Sequence, residues 1–197
     1  MSSFGTHDSF TYLKPDKFWG WFALPFYRTQ SKTLKEQLED GWVCIDMRIT
    51  FDKWWNMKLA HGIVKLKSDS RFIFESLMEI EERRKYNKEY MDAYNMYVRV
   101  ILEDTKIKEE NERLFVKFCK YLENMFPEII FFGGNRRCDW KQVYSFQNNP
   151  TLAQMCGSMA PDARWYEKLI PWLYAKRKNE DNLDLEYDED VVILDFV

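Results

Sequence analysis

Short apolar stretches alternate with amphipathic ones along this chain, and many of the short stretches end on an ionisable side chain. That alternation limits the fold more than any other feature. Brief β-type runs separated by helical patterns read as βα units, whose strands lie parallel. Residues 43–49 are the clearest run: Val43, Ile45, Met47 and Ile49 share one side, and Cys44, Asp46 and Arg48 share the other. A charged pair among small or apolar neighbours suits a barrel interior near its mouth, although a plain internal salt bridge gives the same pattern.

Further strands are predicted up to His7, over 96–102 with Arg99, Ile101 and Glu103 on one side, over 128–132 closed by Gly133-Gly134, over 143–146, and over 191–197, where Asp195 is the one charge. Helices are predicted over 33–40, 71–90 and 108–126. Thr33 and Glu36 make a capping box, and Gly41 suits the position after the helix. Ile73, Leu77 and Ile80 mark the buried face of the second helix; Phe115, Phe118, Leu122 and Met125 mark that of the third. Residues 162–178 contain a helix interrupted near Pro171. Seven of the eleven residues 180–190 are acidic, which reads as a solvated loop. The expected fold is α/β, a TIM-type (β/α) barrel of one domain over 1–197, compact or irregular in its second half.

Composition narrows the function. With 46% hydrophobic and 31% charged residues the chain can build a core. With 29 basic against 32 acidic residues there is no positive field to draw nucleic acid, which is not expected as a partner. Cys44, Cys119, Cys138 and Cys156 form no CxxC pair and lie near no histidine in sequence, so spacing points to no zinc site. Met1 is followed by polar residues rather than an apolar leader, and no run reaches membrane-spanning length. A cytoplasmic protein of bacterial or phage origin is expected. Residues 12–27 read as an aromatic loop with a short helix, carrying Phe18, Trp19, Trp21, Phe22 and Phe26. Such a cluster is either core or a hydrophobic lip.

There are only two histidines, His7 and His61. In parallel barrels functional groups gather at the C-terminal ends of strands. His7, Asp46, Arg48, His61, Glu103, Arg136 and Asp195 all fall at or just after a predicted strand. Two histidines, several carboxylates and an arginine are the parts for cleaving a phosphodiester without metal. One imidazole starts neutral and the other protonated, and the guanidinium fork fits phosphate oxygens. Asp8 is either part of this set or a cap for the next segment, and Arg136 is either a head-group contact or, with Arg137, a solvated pair.

Gly5-Thr6-His7-Asp8-Ser9, then Gln37 to Gly41 leading into Asp46-Met47-Arg48, then His61-Gly62, and finally Asp195, together resemble the bacterial-type phosphatidylinositol-specific phospholipase C family. The chain looks like a short, divergent member of these phospholipase C-like phosphodiesterases. The resemblance implies a general base at His7 oriented by Asp195. It implies a general acid at His61 helped by Asp8, a phosphate clamp at Arg48, and a positioning carboxylate at Asp46. The implied substrate is phosphatidylinositol or a related phosphodiester, with a cyclic phosphate as product. Trp19 and Trp21 would form a membrane-contacting lip. Metal-dependent relatives carry a calcium-binding glutamate where Glu103 stands, and they lack the arginine. Calcium or magnesium through Glu103 is therefore disfavoured by Arg48, and no cofactor is expected. Glu103 would instead bind a sugar hydroxyl or pair with Arg48. Two alternatives remain: a metal-dependent glycerophosphodiesterase-like enzyme, and a non-catalytic member that binds head groups or serves a structural role.

Overall fold

A computed structural model describes residues 2–90, 95–103, 109–135, 146–157 and 160–196. Strand β2 (Cys44–Phe51) is buried along its whole length, as a parallel strand covered on both faces must be. Its two faces have different neighbours. Ile45, Met47 and Ile49 join Val98, Val100 and Leu102 of β5 (Tyr97–Leu102) in the main core. That core also takes Ile73, Leu77 and Ile80 from helix α3 (Ser70–Tyr90), and Phe115, Phe118 and Leu122 from helix α4 (Glu109–Met125). On the other face Cys44 packs with Tyr97, Phe132, Val191 and Ile193 in a smaller cluster.

The smaller cluster exists because the sheet curls. Six strands run parallel in the order β6 (Ile130–Asn135), β5, β2, β1 (Ser3–Thr6), β8 (Val191–Leu194), β7 (Leu152–Met155). Arg99 of β5 reaches across the concave side and donates from Nη1 to Oε1 of Gln154 on β7, at 3.2 Å. Among the described residues no pairing joins β6 to β7. The result is a curled half-barrel of the α/β type rather than a demonstrated closed ring.

Several details differ from the sequence reading. Strand β3 (Met57–His61) is antiparallel to the end of β2, pairing Ile49 with Leu59 and Phe51 with Met57, and it continues into β4 (Val64–Lys65). His61 therefore reaches the mouth on a hairpin arm, not on a parallel strand. Gly133 and Gly134 lie inside β6; Gly133, at φ 124, has no room for a Cβ against the Val100 carbonyl of β5. Strand β7 has no periodic signature and was not expected. Helix α5 (Pro171–Asp184) starts at its proline, whose missing N–H costs nothing at that position. It also takes in residues 180–184, with Glu180, Asp181 and Asp184, from the stretch expected to be a loop. Of the strand predicted over 143–146, only Phe146 lies within the described residues, and it is buried in the main core.

The expected turns hold. The aromatic loop contains a 3-10 turn (Phe18–Ala23) and helix α1 (Leu24–Tyr27). Helix α2 (Leu34–Glu39) has its capping box: Glu36 N donates to Thr33 Oγ1 at 3.3 Å, and Thr33 N donates to Glu36 Oε2 at 2.7 Å. Gly41 follows with φ 90. Among the described residues no helix is long and apolar enough to cross a membrane.

The central place belongs to β1. It is paired with β2 on one side and β8 on the other, with Gly5 opposite both Cys44 and Ile193. A Cβ at Gly5 would overlap the Cβ and carbonyl of Cys44. We expect Gly5→Ala to force β1 off β2 and destabilise the protein by about 1–3 kcal/mol. Urea unfolding checks this, and an unchanged midpoint would refute the close approach.

Candidate active site

The turn after β1 explains why it is built from Thr6-His7-Asp8-Ser9. His7 N continues the sheet by donating to the Leu194 carbonyl at 2.7 Å. Ser9 Oγ donates to the Thr6 carbonyl at 2.9 Å and accepts from Asp46 N at 2.8 Å, tying the turn to β2. Asp8 takes a left-handed conformation, φ 48, which a short polar side chain tolerates better than most. Its N–H donates to Asp46 Oδ2 at 3.0 Å. From below, Thr29 Oγ1 donates to the His7 carbonyl at 2.9 Å, and Gln30 Nε2 donates to the Leu194 carbonyl at 3.0 Å. The backbone under both side chains is thus fixed on several sides.

His7 is buried and bridged at both ring nitrogens. Nδ1 lies 2.7 Å from Oδ1 of Asp195, whose Oδ2 accepts from Gly157 N at 2.8 Å. Nε2 lies 2.6 Å from Arg48 Nη2. A guanidinium only donates, so Nε2 must present a lone pair and Nδ1 must carry the proton toward Asp195. The electrostatics pull differently. Burial opposes a charged ring, the neighbouring Cys156 and Asp195 favour it, Arg48 opposes it, and the balance lies well above the ordinary histidine value. The contact decides the state described here, because two N–H donors cannot face each other at 2.6 Å. His7 is neutral with Arg48 against it, and protonation requires Arg48 to withdraw.

Arg48 sits among three carboxylates. Its Nε and Nη2 donate to Asp46 Oδ2 at 3.1 and 3.0 Å; Asp8 Oδ2 lies 3.4 Å from Nε, and Glu103 Oε1 lies 3.8 Å from Nη1. Burial opposes its charge, but Asp46, Asp8 and Glu103 more than compensate and keep it protonated. Asp46 is held well below the usual carboxylate range: burial works against ionisation, and Arg48 and Arg99 overcome it. Arg99 Nη1 stands 3.6 Å from Asp46 Oδ2. Asp8 goes the other way. Burial, with Asp46 and Glu103 adding to it against Arg48, pushes its carboxyl well above the usual range.

His61 completes the group. Its Nδ1 lies 2.5 Å from the Tyr27 carbonyl and 3.2 Å from Asp8 Oδ2. The next residue, Gly62, donates its N–H to Glu103 Oε1 at 2.6 Å. The two imidazole rings are 6.1 Å apart, centre to centre, and nearly perpendicular. The rings thus stand edge to face beside Arg48, close enough together to serve a single phosphodiester.

Six candidates from the sequence, His7, Asp8, Asp46, Arg48, His61 and Asp195, therefore meet in one cluster, and Glu103 joins them. Asp195 is fully buried rather than solvent-facing, and the Asp8 carboxylate turns to Arg48 and His61. Glu103 faces Arg48 and Gly62. Trp19 and Trp21 stand apart from the cluster on the 3-10 turn, about half exposed, beside the more exposed Phe18 and Phe22. Arg136 lies outside the described residues. A hard cation does not fit: calcium or magnesium would need the oxygens of Asp8, Asp46 and Glu103, and the Arg48 guanidinium already lies between them.

Four contributors escaped the sequence. Thr29 and Gln30 act on backbone carbonyls, which no side-chain pattern reveals. Arg99 shares a side with Glu103 but stands at the level of Asp46, its register partner in β2. Cys156 is brought to His7 by the unrecognised β7.

No protein-family model and no curated protein sequence matches the chain. Solved structures do. The phosphatidylinositol-specific phospholipase C from Listeria monocytogenes aligns at TM-score 0.62 and 17% identity, over 100% of this chain and 88% of that one. The F249X mutant of the Staphylococcus aureus enzyme aligns at 0.56 and 14%, over 98% and 85%. Another S. aureus structure, described as concerning modulation of membrane binding, aligns at 0.56 and 14%, over 99% and 85%. These likenesses define the fold as that of a phospholipase C-like α/β half-barrel. The alignments reach most of each neighbour's length.

The raised Asp8 carboxyl has a consequence for stability. Its folded value lies above the unfolded one, so the native state holds that proton longer, and stability falls as pH rises from the unfolded value through the folded one. At neutral pH the unfolded chain releases this proton more readily than the folded one, so burying Asp8 is a net cost. Asn tolerates the same left-handed backbone and carries no charge. Asp8→Asn should stabilise the protein by about 1 kcal/mol at pH 7, with the gain shrinking toward pH 4. Denaturant melts at the two pH values decide it; a destabilised variant at pH 7 would overturn the account.

Proposed function

We propose that this chain cleaves a phosphodiester by a metal-independent, phospholipase C-type mechanism. The observation that carries this reading is the Asp195–His7–Arg48 chain of contacts with His61 and Asp8 beside it, the two imidazole rings 6.1 Å apart. The structural neighbours are phosphatidylinositol-specific phospholipases C, which supports the same chemistry here.

Each side chain has a task in it. A phosphate entering the site takes the Arg48 guanidinium, which releases Nε2 of His7. Nε2 then accepts the proton of the substrate hydroxyl adjacent to the phosphate, and Asp195 stabilises the imidazolium that forms. The hydroxyl oxygen attacks phosphorus within the same molecule, so orientation replaces collision. Arg48 balances the charge that gathers on the phosphoryl oxygens, and Asp46 with Arg99 keeps it in place. His61, with the proton-retaining Asp8 beside it, protonates the departing oxygen. The products are a cyclic phosphate and an alcohol, diacylglycerol where the substrate is a phospholipid. Glu103 stands where a sugar hydroxyl can meet it.

The substrate arrives from a membrane in this reading. Phe18, Trp19, Trp21, Phe22 and Phe26 form an exposed aromatic patch, and Tyr27, at its edge, supplies the carbonyl that holds His61. Such a rim lets the mouth settle at a lipid surface as a peripheral contact.

Two measurements test the proposal. Turnover of phosphatidylinositol should survive EDTA and fall by about 100- to 10,000-fold in His7→Ala and in His61→Ala; loss of activity in EDTA would favour the metal-dependent alternative. Replacing Trp19 and Trp21 together by Ala should weaken binding to phosphatidylinositol-containing vesicles by at least about tenfold. It should leave turnover of a soluble phosphodiester in place. Unchanged vesicle binding would remove the membrane lip.

A further inference from the structure

In sequence the cysteines are remote from both histidines, yet the folded chain sets the sulfur of Cys156 beside the candidate base. Cys156 directly follows β7, and the N–H of Gly157 is bonded to Asp195. A ring nitrogen of His7, Sγ of Cys156 and a carboxylate oxygen of Asp195 all lie within 4.8 Å of one another, and all three residues are buried; Nδ1 is the nitrogen that faces Asp195, at 2.7 Å. An imidazole, a thiol and a carboxylate converging in this way are the donor set of a borderline-soft divalent cation, not of calcium or magnesium.

We propose that His7, Cys156 and Asp195 form a binding site for Zn2+, or a divalent cation of the same class, and that filling it switches the catalytic site off. The binding stands on the geometry alone; the switch rests on the phosphodiesterase reading.

The geometry needs little change. Bonds of about 2.0–2.3 Å in a tetrahedron put donors roughly 3.3–3.8 Å apart. The present cluster is within reach of that once the 2.7 Å contact between Nδ1 and Asp195 opens. The thiol gives up its proton on binding. The Nδ1 proton moves to Nε2, so the ring stays neutral. Thiolate and carboxylate then balance the divalent charge, leaving a buried cluster with no net charge. Water fills the fourth position.

The tautomer change does the inhibiting. With its proton on Nε2, His7 has no lone pair to offer a substrate hydroxyl. The same N–H now confronts Nη2 of Arg48, which is only 2.6 Å away and also a donor. Arg48 must move, so base and phosphate clamp are lost together.

Co2+ is the first probe, because its thiolate complexes absorb in the near ultraviolet through charge transfer. One equivalent added to the metal-free protein should produce that band, and Zn2+ should abolish it by displacement. The band should be missing from Cys156→Ser and Cys156→Ala and retained in Cys119→Ser and Cys138→Ser. Zinc should also raise the melting temperature of the unsubstituted protein. No band, or a band that persists without Cys156, overturns the site; should neither Cys156 variant fold, the band and melting shift of the unsubstituted protein decide it. Zinc should then inhibit turnover reversibly by chelator, with an inhibition constant at least about tenfold weaker in Cys156→Ser. Turnover untouched by bound zinc overturns the switch. A protein that turns over nothing even with EDTA overturns the phosphodiesterase reading, while the cobalt result still decides the site.

Discussion

The contact between Arg48 and His7 is the constraint on which the site depends. Arg48 is buried and positively charged, and such a group is tolerated only with partners close by. Asp46 supplies the closest pairing, and Asp8 and Glu103 surround it. That leaves one arm, Nη2, which is shared between Asp46 and the lone pair of His7. A single side chain thereby fixes the tautomer of the base, depresses one carboxyl and occupies the centre of the carboxylate cluster. The neighbouring carboxylates are not equivalent. Asp46, between Arg48 and Arg99, stays ionised; Asp8, buried and crowded by Asp46 and Glu103, holds its proton. Such a split is how one cluster supplies both a permanent anion and a proton donor.

The legible parts of this chain were those where local pattern and tertiary role coincide. Val43 to Ile49 alternates because one face meets helices and the other the concave interior, and that difference is written in the residues. The capping box before α2 could be read because it closes on itself within four residues. Asp195 could be placed at a strand end but not assigned a surrounding, since only the fold shows that β1 lies against β8. Likewise His61 was legible as a residue after a strand, but the hairpin direction of that strand was not. The misses share a cause. Strand β7 is short, and Cys156 after it carries no pattern. Pro171 breaks a helix as readily as it begins one, and only tertiary packing chooses.

Aromatic composition also takes on a definite meaning. Many large rings in one segment are as compatible with a core as with a surface. Here the two roles are divided among neighbours: Phe10 and Tyr27 enter the main core, while Phe18, Trp19, Trp21 and Phe22 remain at the surface. The boundary falls where Tyr27 gives its carbonyl to His61. The aromatic segment and that ring are thus joined by one hydrogen bond.

One feature of the sheet governs how this protein reaches its working state. His7 and Asp195 are 188 positions apart, and they meet only because β1 and β8 lie side by side. Closing so long a loop is entropically slow to reward, and parallel pairings of this range form late in folding. The helices and the β2–β5 pair can gather early, but the histidine gains its carboxylate partner only when the outermost regions of the chain dock. Without this docking Arg48 would keep Asp46 and Glu103 beside it but have no oriented base. Competence at the site therefore requires the finished sheet, and compactness alone does not supply it.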